Sequence, residues 1–239
     1  MKVEIISIFP RMFDEIFHSG MIGQAIKKNL LAIKALDLRD FTDDKHRTVD
    51  DRPFGGGEGM VLKPGPLFRA VEFCREADQT SPHIVLMSPQ GCRFDQTKAK
   101  ELSLKTRLIL ICGRYEGIDQ RVSDHLTDEE ISIGDYVLSG GELAAAVVVD
   151  AVSRLIPGVV RRSESVLAES FMDGLLDYPH YTRPADFRGW RAPDVLLSGD
   201  HEQIREWRER QALLQTRCRR PDLLTSATSN SEENEDESG

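Results

Sequence analysis

Apolar positions along this chain fall into short unbroken runs separated by stretches of helical period. His83-Ile84-Val85-Leu86-Met87 and Arg107-Leu108-Ile109-Leu110-Ile111-Cys112 are nearly continuous apolar runs. Such runs predict strands covered on both faces, the signature of a parallel sheet interior. Val3 to Phe9 predicts a further strand ended by Pro10, Leu31 to Leu38 another, and Glu130 to Ile133 a short last one. Between them, helical spacing predicts helices over Met12 to His18, Ile22 to Leu30, Pro66 to Ala77, Asp95 to Leu104, Ile118 to His125 and Gly140 to Leu155. The run Leu143 to Val149 within the last of these reads as a buried helix. Strands alternating with helices argue for a mostly parallel α/β sheet, whose ligands sit in loops at the strands' carboxyl ends.

Three such loops stand out: Ser88-Pro89-Gln90-Gly91, Gly113-Arg114-Tyr115-Glu116-Gly117, and Gly134 to Glu142. Each holds glycine, which admits close approach of backbone to a ligand. Phe41 to Met60 is polar and glycine-rich and is expected to be one long loop. Beyond Pro157, a linker to Ser170 leads to a smaller unit. Its main helix is expected over Gly199 to Gln215, with Ile204, Trp207, Gln211 and Leu214 on one face.

Charge changes this picture in one respect. A formal charge of −9 argues against a polyanionic partner, but Glu232, Glu233, Glu235, Asp236 and Glu237 crowd the last residues. Without those five acids the charge is −4, and Arg205, Arg208, Arg210, Arg217, Arg219 and Arg220 cluster just before them. Local charge governs phosphate binding more than the sum does. The alternative for such a run is a solvated helix face. No apolar run is long enough to span a bilayer, and Glu4 interrupts the apolar stretch that a signal peptide would need. A cytoplasmic protein without a membrane partner is therefore expected. Cys74, Cys92, Cys112 and Cys218 lack the spacing of a zinc or redox pair, and Cys74 and Cys112 read as buried free thiols. Gly55-Gly56-Gly57-Glu58-Gly59 has neither dinucleotide nor P-loop spacing, and no hydrolase elbow or zinc helix occurs. A nucleotide-dependent oxidoreductase thus lacks its fingerprint.

Five longer motifs carry a resemblance. They are Arg47 to Gly57, Ser88 to Gly91, Cys112 to Asp119, Ser132 to Glu142, and Gly174 to Pro184. In order and spacing they resemble the bacterial tRNA (guanine-N1)-methyltransferases, over nearly the whole chain to about Leu224. That resemblance implies an α/β fold of the SPOUT class: an open, mostly parallel sheet with a trefoil knot at its carboxyl end, plus a small helical C-terminal domain. It implies a methyl-donor domain over 1–160, a linker over 161–174 and a helical tRNA-binding domain over 175–225; beyond it the low-complexity, acid-rich residues 226–239 are expected to form a disordered tail. It implies S-adenosylmethionine as donor, magnesium with unknown ligands, tRNA with guanosine 3′ of the anticodon as substrate, and a homodimer with the active site between subunits.

The resemblance also assigns residues. Glu169 matches the family's acidic base, usually aspartate, and Arg154 the cation that stabilises charge on the guanine. Asp173 and Asp177 are nearby competitors for the base. Donor binding falls to Leu86, Met87, Ser88, Pro89, Gln90, Gly113, Tyr115, Glu116, Ile133, Gly134, Tyr136, Leu138, Gly140 and Gly141. For Glu116 the alternative is an ion pair with Arg114. The substrate falls to His46, Arg52, Asp177, His180, Tyr181, Arg208, Arg217, Arg219 and Arg220. Glu58 stands where many relatives have proline. The chemistry agrees with such a set: guanine N1 must lose a proton to a base, and charge develops on the neighbouring carbonyl oxygen. An RNA-binding module that has lost catalysis is the alternative, and it would not bind the donor.

Overall fold

A computed structural model describes residues 1–160 and 169–224. The chain divides into two compact units, Met1–Arg161 and Arg162–Gly239. The expected tail, and Arg161 and Arg162 of the expected linker, lie outside the described residues.

The first unit is built on a five-stranded parallel sheet. Its strands are β1 (Lys2–Ser7), β2 (Ala32–Asp37), β5 (His83–Arg93), β6 (Arg107–Cys112) and β7 (Glu129–Ser132). Their order across the sheet is β2-β1-β6-β5-β7, and every neighbouring pair is parallel. All six residues of β6 are buried, as its central place requires. Side chains alternate between faces, so Leu108, Leu110 and Cys112 enter one core while Ile109 and Ile111 enter the other. The first core is covered by α1 (Asp14–His18), α2 (Gly20–Lys27), α4 (Gln96–Ser103) and α6 (Glu142–Arg154). The second is covered by α3 (Pro64–Glu76) and α5 (Gln120–Leu126), through Leu67, Ala70, Val71, Cys74, Val122 and Leu126. Pro64 opens α3 where no N–H is needed. Asp95 and Asp119 cap α4 and α5 by accepting from Lys98 N and Arg121 N.

Three expectations need correction. The stretch from Phe41 to Met60 is not one loop. It begins in a 3-10 turn, Leu38–Phe41, and holds β3 (Asp50–Asp51), which pairs antiparallel with β4 (Val61–Leu62). Val49 beside it is buried, and one buried apolar residue in a polar run carries no periodic signal. The fifth strand does not stop at Met87. After an excursion over Ser88 to Gly91 the chain rejoins β7, so that Met87 and Cys92 both pair with Ile131. Helix α6 is not buried all round, for Leu143 and Val147 remain 49% and 47% exposed while Ala144, Ala145, Val148, Val149 and Val152 are buried. A helix resting on a sheet covers only one stripe of its surface, whatever the composition of the rest.

One buried ion pair lies toward the end of the sheet where β6 begins. Arg107 and Glu4 are both buried, and Arg107 Nε donates to Glu4 Oε2 at 2.9 Å. The same guanidinium donates to the backbone carbonyls of Asp78 (2.9 Å), Thr80 (2.8 Å) and Cys74. It therefore ties the chain following α3 to the start of β6. Arg107→Ala leaves the buried Glu4 carboxylate only Lys2, whose Nζ lies 3.2 Å from Oε1, and strips three backbone carbonyls of their donor; urea unfolding is expected to show a loss of about 3–5 kcal/mol. Replacing both partners, as in Glu4→Met with Arg107→Met, is expected to cost less than Arg107→Ala alone. Equal losses would rule out the pairing argument.

The second unit holds a short antiparallel hairpin, β8 (Asp186–Phe187) with β9 (Trp190–Arg191), a 3-10 turn Asp194–Leu197 that packs on the following helix, and α7 (His201–Arg219). Asp200 caps α7, accepting from the N–H groups of Glu202 and Gln203 at 3.1 Å. Trp207 and Thr216 are its buried residues. Leu214 is exposed, against expectation, because the face that α7 buries runs through Trp207 and Thr216. The hairpin was not foreseen, since two residues per strand are too few for an alternating pattern.

Candidate active site

A cleft of about 350 Å³ opens over the carboxyl ends of β5, β6 and β7. All fourteen residues assigned to the donor lie on its wall: Leu86, Met87, Ser88, Pro89, Gln90, Gly113, Tyr115, Glu116, Ile133, Gly134, Tyr136, Leu138, Gly140 and Gly141. Three segments far apart in sequence meet there because parallel strands deliver their following loops to the same edge.

At Gly141, the N-cap of α6, backbone and side chain of both neighbouring strands close in together. A β-carbon there would stand 2.9 Å from Cys112 Cα and 3.0 Å from both Gly113 N and Met87 Cβ. Gly141 N donates to Gly113 O at 2.8 Å, and Arg114 bridges Gly140 in a short antiparallel contact. The third loop is thus pressed against the ends of β5 and β6, where any side chain at position 141 would separate them.

Beneath this turn lies a network that sequence reasoning did not find. Glu142 is almost fully buried. It accepts from Ser7 Oγ at 2.6 Å through Oε1 and from Arg114 Nε at 3.0 Å through Oε2. Ser7 Oγ in turn accepts from Phe9 N at 2.8 Å, and the Arg114 guanidinium sits 4.6 Å from the centre of the Phe9 ring. Arg114 is therefore committed to Glu142, not to Glu116. The Glu116 side chain faces the glycine loop instead, since a β-carbon on Gly59 would stand 2.5 Å from Glu116 Cγ. Glu116 N donates to Met60 O at 3.0 Å, fastening that loop to the cleft. The cleft also takes in Gln120, Ser123 and Glu130, polar side chains that no motif marked. A carboxylate after two glycines at a helix start reads from sequence as a partner for the helix dipole. Only the crossing of β1 behind it makes Glu142 a tether.

Cys112 lies behind the cleft, where burial drives its thiol pKa well above the ordinary value; burial likewise pushes Cys74 up to about 11. Cys92 and Cys218 are exposed. Among the described residues no group of three or more His, Cys, Asp or Glu side chains is arranged to hold a metal ion. Magnesium therefore has no assigned ligands among them.

Within the first unit, Arg154, Arg52 and His46 do not line this cleft. Arg154 is the last residue of α6, whose first residue adjoins Gly141. At ~1.5 Å per residue, thirteen residues carry it about 18 Å along the helix axis. Arg52 lines a second cleft of about 840 Å³, with Lys63, Arg69, Arg121 and several aspartates. His46 is exposed beside it, its N–H donating to Asp44 at 2.9 Å.

In the second unit, Asp177, His180 and Arg208 gather around Tyr178. Asp177 Oδ1 accepts from Tyr178 N at 2.7 Å, and the His180 ring lies 3.0 Å from Asp177 Oδ2. The Arg208 guanidinium lies 4.9 Å over the Tyr178 ring. Asp177 thereby fixes the local turn. Tyr181 packs edge-on to Trp207 at 6.4 Å. Arg217 and Arg219 lie in the last turn of α7, while Arg220 is engaged by Asp222 at 2.6 Å. Glu169 and Asp173 open this unit; Glu169 is half-buried and its carbonyl accepts from Met172 N at 3.3 Å.

An open parallel sheet with a glycine-braced cleft above its carboxyl edge defines an α/β protein of the class whose ligands bind over the strand ends. Comparison with known proteins narrows that class. The family described as "tRNA (Guanine-1)-methyltransferase TrmD" matches residues 1–226. Proteins named tRNA (guanine-N(1)-)-methyltransferase are 53% identical in Dehalococcoides mccartyi, over 95% of this chain and 92% of theirs. Others are 50% identical in Anoxybacillus flavithermus and 52% identical in Bacillus cereus, each over 94% of this chain and 91% and 92% of theirs. The chain belongs to the tRNA (guanine-1)-methyltransferase family.

Proposed function

We propose that this protein methylates N1 of the guanosine immediately 3′ of the anticodon in tRNA. What carries the reading is the cleft at the ends of β5, β6 and β7, lined by every residue that the family motifs assign to the donor. S-adenosylmethionine, which the family implies, supplies a methyl group on a positively charged sulfur. The cleft suits such a molecule: Leu86, Ile133 and Leu138 offer apolar walls to its adenine, and its volume lies in the range of small-ligand sites. Glu116 contributes negative charge beside the sulfonium. The wedging of Gly141 between β5 and β6, and the return of β5 to β7 beyond Gly91, support the carboxyl-end knot of the SPOUT class.

The chain's own residues would do three things. The cleft loops hold the methyl carbon in line with guanine N1, which is most of what an already reactive donor requires. The Glu169 carboxylate takes the N1 proton as the new bond forms. Arg154 stabilises the charge that builds on O6. His46, Arg52, Asp177, His180, Tyr181 and the arginines of α7 hold the RNA, chiefly through phosphates, which position it without reading its sequence.

The distance of Arg154 from the cleft of its own chain supports a homodimer whose sites are shared. Leu143, Val147 and Arg154 lie at intervals of four and seven along α6, on one face. The first two are exposed apolar residues, with Phe9, Met12 and Ile16 among the exposed residues of the neighbouring elements. A second copy covering that stripe across a two-fold axis would bring Arg154 to the partner's cleft.

The test is transfer of labelled methyl from S-adenosylmethionine to a tRNA transcript whose anticodon is followed by guanosine, beside one with adenosine there. Incorporation at N1 of that guanosine alone is expected. No incorporation into either transcript by folded protein supplied with magnesium would overturn the reading.

A further inference from the structure

The hairpin of the second unit is built to display its tip. Phe187 pairs with Trp190 across the ladder, and Asp186 pairs with Arg191. The two turn residues, Arg188 and Gly189, have φ of 58° and 84°. Positive φ at both central positions is the type I′ turn, whose twist matches the strands it joins. Gly189 adopts it freely, whereas Arg188 does so against its own preference. Asp186 Oδ1 accepts from Gly189 N at 2.9 Å, and Ala192 N donates to Ala185 O at 2.8 Å, closing the base. From that base the chain enters the 3-10 turn that packs on α7.

Although they pair, both rings stay in solvent. Their centroids are 6.3 Å apart, yet Trp190 is 72% and Phe187 54% exposed. The chain's other tryptophan, Trp207, is buried. Cross-strand aromatic pairs stabilise hairpins modestly, but that role is filled as well by rings that lie under neighbouring side chains. Arginines lie on and beside the hairpin. The Arg188 guanidinium lies 5.2 Å from the centre of the Phe187 ring, Arg191 is exposed with Asp194 at 3.7 Å, and Arg183 is exposed just before the hairpin. The one acid within the hairpin, Asp186, is turned inward to the Gly189 N–H. Open aromatic faces among arginines complement a single-stranded nucleic acid, which offers bases to stack and phosphates to pair.

We infer that the Phe187–Trp190 hairpin is a stacking platform for an unpaired base of the tRNA, with Arg183, Arg188 and Arg191 meeting the phosphates on either side. The inference rests on the tRNA reading above and adds a contact that the family motifs do not assign. Stacking tolerates any base, so the platform contributes affinity and placement while leaving the choice of target to the cleft.

Full-length protein is titrated with an unmodified tRNA transcript, with anisotropy reporting RNA binding and calorimetry reporting S-adenosylmethionine binding. Trp190→Ala combined with Phe187→Ala is expected to weaken tRNA binding at least tenfold and leave donor binding unchanged. Trp190→Phe, which keeps a ring, is expected to stay within threefold of the parent protein. Stacking is also expected to quench tryptophan fluorescence on tRNA addition, an effect missing in Trp190→Phe. The single variant Trp190→Ser removes an exposed ring and guards against misfolding of the double variant. Unchanged tRNA affinity in both the Ala pair and Trp190→Ser, with no quench in the parent, would overturn the platform while methylation by the parent protein still stands. A parent protein that neither methylates nor binds tRNA would overturn the underlying reading instead.

Discussion

Glu169→Gln is expected to lower kcat for tRNA methylation by about a hundredfold to ten-thousandfold, the range that general bases contribute. The amide has almost the same shape but cannot accept the N1 proton. Affinity for S-adenosylmethionine, measured by calorimetry, should not change, because the donor residues come from the excursion within β5 and the segments after β6 and β7. Turnover persisting near the parent level would dismiss Glu169 and direct attention to Asp173 or Asp177. Glu169→Asp restores the residue usual in the family and is expected to remain active, since the change is one methylene in reach.

Gly141→Ala is expected to weaken donor binding by an order of magnitude or more and to lower stability by about 1–3 kcal/mol, as overpacking does. The reason is steric alone. Gly141 sits at φ −77° and ψ −7°, a conformation open to any residue. Its added carbon, however, would press on Cys112 Cα, Gly113 N and Met87 Cβ, which belong to strand ends that cannot yield singly. Gly113 supplies the contrast. A β-carbon there meets nothing closer than Met87 O at 3.5 Å. Gly113→Ala should therefore keep the parent's stability to within about 0.5 kcal/mol. Calorimetry with the donor and urea unfolding of both variants would decide the matter. A Gly141→Ala protein with parental donor affinity would show that the third loop is not what shapes the cleft.

Glu142 explains why such precision is available to a set of loops. Its carboxylate joins Ser7 at the end of β1 to Arg114 in the second loop, from the first turn of a helix whose cap is Gly141. Three chain segments around the cleft thus share one buried anion. Charge-assisted bonds of this kind strengthen when water is excluded, so the cleft is braced from beneath before any ligand arrives.

Much of the first unit was legible in one dimension. An all-apolar strand such as β6 can only lie inside a covered sheet, and the alternation of strands with helical periods left few topologies. The glycine-bearing loops announced themselves because they follow those strands directly. Family motifs then named the cleft residues, and the cleft collects every one of them. Less could be read in the second unit. Its hairpin has too few residues per strand to show a period, and its main helix buries few of its residues.

By itself, the order of residues determined which segments are strand or helix and which loops meet above the sheet, because side-chain periodicity and burial are properties of the local chain. Tertiary structure alone decided that Arg114 pairs with Glu142, and that Trp190 stays in water while Trp207 does not. Those outcomes depend on which distant segments lie across from each residue, and a charge or a ring has no preference among partners until folding has brought them within reach.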